Sequence, residues 1–161
     1  MLADGMRLGG QLKGTAQVAV GWLAANTAVV GFQEMATDPT YRGAVLAFTY
    51  PEVGNVGVTD AFSESPRVQA AALVVKVLSE YRSHYRAERD LEDLLREGGV
   101  PCLCGVDTRG VAVHLREAGE MAAAVAPADA DPDDLLQRLA SFGRPGVPPT
   151  DTVRLDGDGP Q

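Results

Sequence analysis

The sequence predicts an α+β domain, and three observations predict it. Residues 26–58, NTAVVGFQEMATDPTYRGAVLAFTYPEVGNVGV, alternate polar groups with turn residues and short apolar segments. That is the texture of packed loops and strands rather than of a helix. Within it, residues 44–50 (AVLAFTY) form an apolar run stopped by Pro51, the mark of a buried strand. The second half of the chain then carries three capped, periodic helical segments separated by short Val- and Ala-rich runs.

In chain order, residues 2–8 read as a short strand or hairpin edge turning at Asp4-Gly5. Gly9, Gly10 and Gly14 make the next segment loop-like. Residues 18–25 are an apolar run interrupted by Gly21. Their Val, Trp and Leu content favours a strand, and so short a run leaves a helix open. Trp22, the single tryptophan, is expected in core packing first and in a partner contact second. Gly54, Asn55 and Gly57 supply turn chemistry, and residues 60–67 are polar loop. Residues 68–78 (VQAAALVVKVL) lean to strand from about Ala72.

Asp90 then caps a helix that carries Leu91, Leu94 and Leu95 on one face and ends at Gly98-Gly99. A second helix starts after Asp107 or Thr108, carries Val111 and Leu115, and stops at Gly119. The third opens with Asp131 as cap and Pro132 behind it, carries Leu135, Leu136 and Leu139, and stops at Gly143. Residues 100–106 and 121–126 read as strands. From Arg144 onward Pro, Gly and Asp dominate. The expected organisation is one domain over residues 1–142 and a disordered tail or linker over 143–161.

A chain of 161 residues can bury a core without disulfides or metals. With aromatics at only 6%, that core must be built from small and β-branched side chains. The net charge of −8 argues against nucleic acid or an anionic membrane as partner, since both reward a basic face. No apolar stretch approaches the ~20 residues of a membrane span, and the start lacks the pattern of a secretory signal. A cytoplasmic location is the expectation.

No phosphate loop of either common type is present, so no nucleotide cofactor is expected. The only cysteines, Cys102 and Cys104, lie two apart with no second pair to complete a zinc site. They read as two reduced thiols near a core. A nucleophilic Cys104 with His114 as base is conceivable on a neighbouring strand and helix. Cys104, however, lacks the glycine-flanked elbow of such centres, and Glu117 is only an ordinary helix-surface neighbour of His114. His84 is the other imidazole. Glu34 and Asp38, four apart, could share a turn, with Asp38 expected to hydrogen-bond its own turn ahead of Pro39. Arg86 and Arg109 could each fork a carboxylate to pin a loop, or serve a partner interface.

Several phrases then resemble one family in the right order: the small subunit of carbamoyl-phosphate synthetase, in its N-terminal domain. They are Asn26-Thr27 with Gly31-Phe32-Gln33-Glu34; Thr37-Asp38-Pro39-Thr40-Tyr41; and Phe48-Thr49-Tyr50-Pro51 with Gly54-Asn55-Val56-Gly57 and Asp60. Ser83-His84-Tyr85-Arg86 and Gly105-Val106-Asp107-Thr108-Arg109, followed by Leu115-Arg116-Glu117, are the later ones. The resemblance spans about residues 1–142 and implies a three-layer β/β/α domain. It also implies a setting in glutamine metabolism, on the way to arginine and pyrimidines.

In that family a class I glutaminase domain with Cys, His and Glu follows, and this chain is expected to stop before it. Ala28 stands at the position that the resemblance assigns to a glutamine-contacting Ser. Ala25 replaces a Phe, and Trp22 an acidic residue. The resemblance therefore implies no catalytic residue and no cofactor. It implies a non-catalytic docking module for the synthetase large subunit or a relative of it, with a separate glutaminase as a further partner. The large subunit would bind ATP and bicarbonate. A reshaped small-molecule or assembly module in another carbamoylation-related pathway is the second reading.

Overall fold

The computed structural model describes residues 1–142. The expected tail, and Gly143 as stop of the last helix, lie outside the described residues. Eight strands and four helices follow the order β1 (Gln11–Lys13), β2 (Ala19–Asn26), α1 (Phe32–Thr37), β3 (Ala44–Phe48), β4 (Glu52–Val53), β5 (Ala72–Val74), β6 (Val77–Leu78), α2 (Leu91–Glu97), β7 (Cys102–Cys104), α3 (Thr108–Ala118), β8 (Ala122–Val125) and α4 (Pro132–Ser141). Six strands form one sheet in the order β1-β7-β5-β3-β2-β8, and β4 and β6 form a second, two-stranded sheet. Strands β2, β3, β5 and β7 run parallel to one another, while β1 and β8 close the two edges antiparallel. The chain is therefore mixed α+β.

Both faces of the large sheet are covered, which explains why its central strands read as unbroken apolar runs. Along β3, Leu46 and Phe48 enter one core while Val45 and Ala47 enter the other. Leu73 and Val74 divide in the same way on β5. The first core takes Phe32 and Ala36 from α1, Leu91, Leu94 and Leu95 from α2, and Val53 and Leu78 from the small sheet. The second takes Val111 from α3. A third cluster seats Leu135 and Leu139 of α4 on Ala122 and Ala124 of β8, with Trp22 beside them. The Trp22 ring lies 5.9 Å from that of Phe142, so Trp22 packs as a core residue.

The structure corrects several expectations. Residues 26–58 are not loop and strand alone, because Phe32–Thr37 is a helix. Six residues are too few for a helical period to show, and Gly31, at φ 83°, lets the chain turn into it. The glycine-rich segment read as loop holds β1, where Gly10 is required by contact rather than by a turn. A Cβ there would stand 2.2 Å from the Cys104 carbonyl oxygen. The expected strand at residues 2–8 shrinks to one bridge, Leu2 to Ala123, although the turn at Asp4-Gly5 is present. The run from Ala72 breaks at Lys76 and sends β6 to the other sheet.

Caps divide two to one. Asp107 accepts from the Gly110 N–H and Asp131 from the Asp133 N–H. Asp90 sits at its cap position but makes no cap bond, and its carboxylate lies 3.4 Å from Arg82.

Candidate functional site

The thiols and imidazoles do not assemble. Cys102 and Cys104 face the first core with their sulfurs 3.8 Å apart, whereas α3, which carries His114, packs on the opposite face of the sheet. Hydrogen bonding with Cys104 and complete burial push the Cys102 thiol well up from its ordinary range. His114 Nε2 instead meets Asp4 Oδ2 at 2.6 Å. The Met6 N–H, with His114 beside it, holds the Asp4 carboxyl below its ordinary range. The Cys104–His114 dyad is thereby excluded, and Asp4, not Glu117, is the imidazole's partner. Among the described residues no group of three or more His, Cys, Asp or Glu is placed to hold a metal. No helix among them is long and apolar enough to cross a membrane.

The phrases at residues 26–60 do come together, and Gln33 is the reason. Its side chain is buried at 4% exposure. Its Nε2 donates to the Thr59 carbonyl and to Ser63 Oγ, both at 2.7 Å, and its Oε1 accepts from the Thr59 N–H at 3.2 Å. One amide thus clamps α1 to the loop after β4. A cleft of about 160 Å³ opens beside this clamp, lined by Val30, Gly31, Glu34, Gly54, Gly57 and Phe62 among others. Gly57 has φ 85°, and a Cβ there would lie 2.6 Å from Ala87 Cβ. Only glycine lets the two loops meet so closely.

The remaining phrase residues around this site have local work. Asn26 Oδ1 accepts from the Ala28 N–H at 2.7 Å, and the Asn26 carbonyl accepts from the Thr49 N–H at 2.9 Å. Thr27 is exposed and Ala28 half-buried. Asp38 Oδ1 accepts from the Thr40 N–H at 2.8 Å, as the turn ahead of Pro39 predicts, and Tyr41 packs on the first core. Thr37 Oγ1 donates back to the Gln33 carbonyl at 2.9 Å. Tyr50 lies against Phe32, with ring centroids 6.1 Å apart, and the Pro51 carbonyl accepts from the Val77 N–H.

Residues 81–86 pack against the loop after β4. The Asn55 carbonyl accepts from the Ser83 N–H at 2.8 Å, and the Val56 carbonyl from the His84 N–H at 3.3 Å. A ring stack runs outward from the cleft wall: Phe62 to His84 at 5.4 Å, His84 to Tyr85 at 4.8 Å, and the Arg86 guanidinium over Tyr85 at 5.3 Å. Arg86 does not form the carboxylate fork considered from sequence, and neither does exposed Arg109 among the described residues. The fork is made by Arg89, to Asp60 at 3.2 Å and Glu97 at 2.7 Å. Asp107, Thr108 and Arg109 begin α3, on the other side of the sheet from this cleft.

Sequence reasoning missed Thr59, Phe62 and Val30. Thr59 and Phe62 sit in or beside the polar 60–67 segment. Only an apolar residue inside a polar loop, as Phe62 is, could have signalled them.

With that geometry in view, the chain matches the family model "Carbamoyl-phosphate synthase small chain, CPSase domain" over residues 1–125. It is similar to the carbamoyl phosphate synthase small chain of a Synechococcus species, at 38% identity over 97% of this chain and 40% of the relative. The small chain of Methanopyrus kandleri is 39% identical over 86% of this chain and 39% of the relative. That of Symbiobacterium thermophilum is 41% identical over 81% and 37%. The chain spans about 40% of the length of these curated relatives. It belongs to the carbamoyl-phosphate synthase small chain family, through that family's CPSase domain.

Proposed function

We propose that this chain serves carbamoyl-phosphate synthesis as a non-catalytic docking and scaffold domain that binds the synthase large chain. The match over residues 1–125 is the observation that carries the reading. The site agrees with it: Gln33, Gly54 and Gly57 build a surface, while the thiols and imidazoles stand apart. The arrangement of small sheet, large sheet and α3 is read as the three-layer β/β/α type, with residues 1–142 as the working domain. ATP and bicarbonate would be bound by the large chain, and glutamine hydrolysis would belong to a glutaminase. The cytoplasm is the proposed location.

Mixing the purified chain with the large chain and separating by size tests the reading. Co-elution at micromolar concentration is expected, and separate elution overturns the docking role. Ammonia release from glutamine by the unaided chain would overturn the non-catalytic part.

A further inference from the structure

We infer that Cys102 and Cys104 form a two-thiolate binding site for a soft monovalent d10 cation, of which Cu(I) is the biological representative. The two residues stand two apart on β7, so both side chains leave the same face of the strand. Both enter the first core, and their sulfurs lie 3.8 Å apart. Cys102 is fully buried and Cys104 is 6% exposed, so a cation reaches Cys104 first.

Distances decide what the pair can do. A disulfide needs its two Cβ atoms about 3.5–4.5 Å apart. Two residues of extended strand advance about 6.6 Å. Closing that gap would bend β7, which is paired with β1 on one side and β5 on the other. A bridging cation asks for far less. A thiolate sulfur sits about 2.3 Å from a small d10 ion, so a separation of 3.8 Å corresponds to an angle of about 110° at the ion. Opening that angle to a straight line spreads the sulfurs to about 4.6 Å, which is about 0.4 Å of movement for each.

The surroundings select the ion. Zn(II) wants four ligands and an iron–sulfur cluster four thiolates. Among the described residues no group of three or more His, Cys, Asp or Glu is placed to supply them. Glu92, whose charge both thiols feel, is held by Lys13 at 3.6 Å and Arg96 at 3.0 Å. Two thiolates with no further donor suit a soft monovalent ion.

One sulfur is already primed. The hydrogen bond from the Cys102 thiol, with the Lys13 ammonium and the Leu78 N–H, holds the Cys104 thiol below its ordinary range in spite of its burial. Lys13 pairs in register with Cys102 across β1 and β7, and its side chain is 17% exposed. Its charge also opposes the single negative charge of the complex. Cu(I) binds the Cys104 thiolate, and the Cys102 thiol then gives its proton to water and makes the second bond. One Cu(I), one thiolate and one thiol thus become a bis-thiolate of charge −1 and one released proton.

The full chain is titrated in anaerobic, thiol-free buffer with Cu(I) held by a chromophoric chelator. One ion per chain is expected to transfer. Cys102→Ala and Cys104→Ala are each expected to weaken binding about hundredfold or more, because the second thiolate otherwise binds intramolecularly. Zn(II), offered in the same way, is expected to stay with its chelator. Circular dichroism checks that the variants fold. X-ray absorption at the copper edge needs no variant and should read two sulfur neighbours. No transfer to the unaltered chain would overturn the site, and so would a folded variant lacking either thiol that binds like it. Equal retention of Zn(II), or a copper ion with one sulfur neighbour or more than two, would overturn it as well.

Discussion

Replacing Gln33 by Leu removes the clamp while keeping a side chain of similar bulk in a site with 4% exposure. Three hydrogen bonds disappear: two donated by Nε2, to the Thr59 carbonyl and Ser63 Oγ, and one accepted by Oε1 from the Thr59 N–H. Ser63 is partly exposed and can turn to water. Thr59 is buried at 6% exposure; its carbonyl keeps the Phe62 N–H at 3.0 Å, but its own N–H is left without that partner. One buried orphan costs about 1–3 kcal/mol, and the added apolar contact of Leu recovers part of it while the lost bonds to Ser63 and the Thr59 carbonyl add to it. The expected loss is about 1–3 kcal/mol, or roughly 3–12 °C in Tm for a domain of this size. Urea denaturation followed by circular dichroism measures it, with an unchanged m-value as the sign that only stability moved. A loss below about 0.5 kcal/mol would mean that Gln33 does not hold the Thr59 loop, because a surface change costs that little.

Four further substitutions have outcomes that the same structure sets. Gly57→Ala should cost about 2 kcal/mol or more, since φ is 85° and the Cβ would press on Ala87 and Arg82. Gly43→Ala, at φ 73° with nothing within 4 Å, should cost only about 1 kcal/mol in the same denaturation assay. Phe48→Ala, on a fully buried ring packed edge-on to Phe32 at 5.1 Å, should cost about 3–5 kcal/mol. Asp4→Asn should change the acid limb of stability. The Asp4 carboxyl titrates below its ordinary 3.8 in the fold, so its contribution is present above that pH and fades as pH falls through the lower folded value. The stability gap between parent and variant, from urea titrations at stepped pH, should therefore be flat above about pH 4 and close toward pH 2.

Which features the sequence disclosed depends on how local their causes are. Helices α2, α3 and α4 were legible because an acidic residue at the N-terminus and an apolar period fall within one stretch of chain, with a glycine after the last turn in α2 and α3. β3 was legible because burial on both sides writes an unbroken apolar run. α1 was not, since its stability comes from Phe32 and Ala36 packing into a core assembled from distant segments. β1 was not, since Gly10 is selected by the backbone of Cys104, ninety-four positions away. At the site, the Asp38 turn was legible as a dipeptide-scale event. The Gln33 clamp was not, because its partner Thr59 carries no signal until the loop is folded against α1.

The family phrases do not form one site, and that bears on how any variant of this chain is read. Gly105 to Arg109 start α3 under the second core, whereas Gln33, Gly54 and Gly57 shape the cleft above the first. Between the cleft and the exposed stack runs a chain of supports: Gln33 holds Thr59, the following turn carries Phe62, and Phe62 braces His84. Loosening Gln33 should therefore disturb His84 as well as the Thr59 loop, although Gln33 does not touch the imidazole. Arg86 and Tyr85 stand at the far end of the same chain of supports, so changing either should leave the urea midpoint nearly where it was.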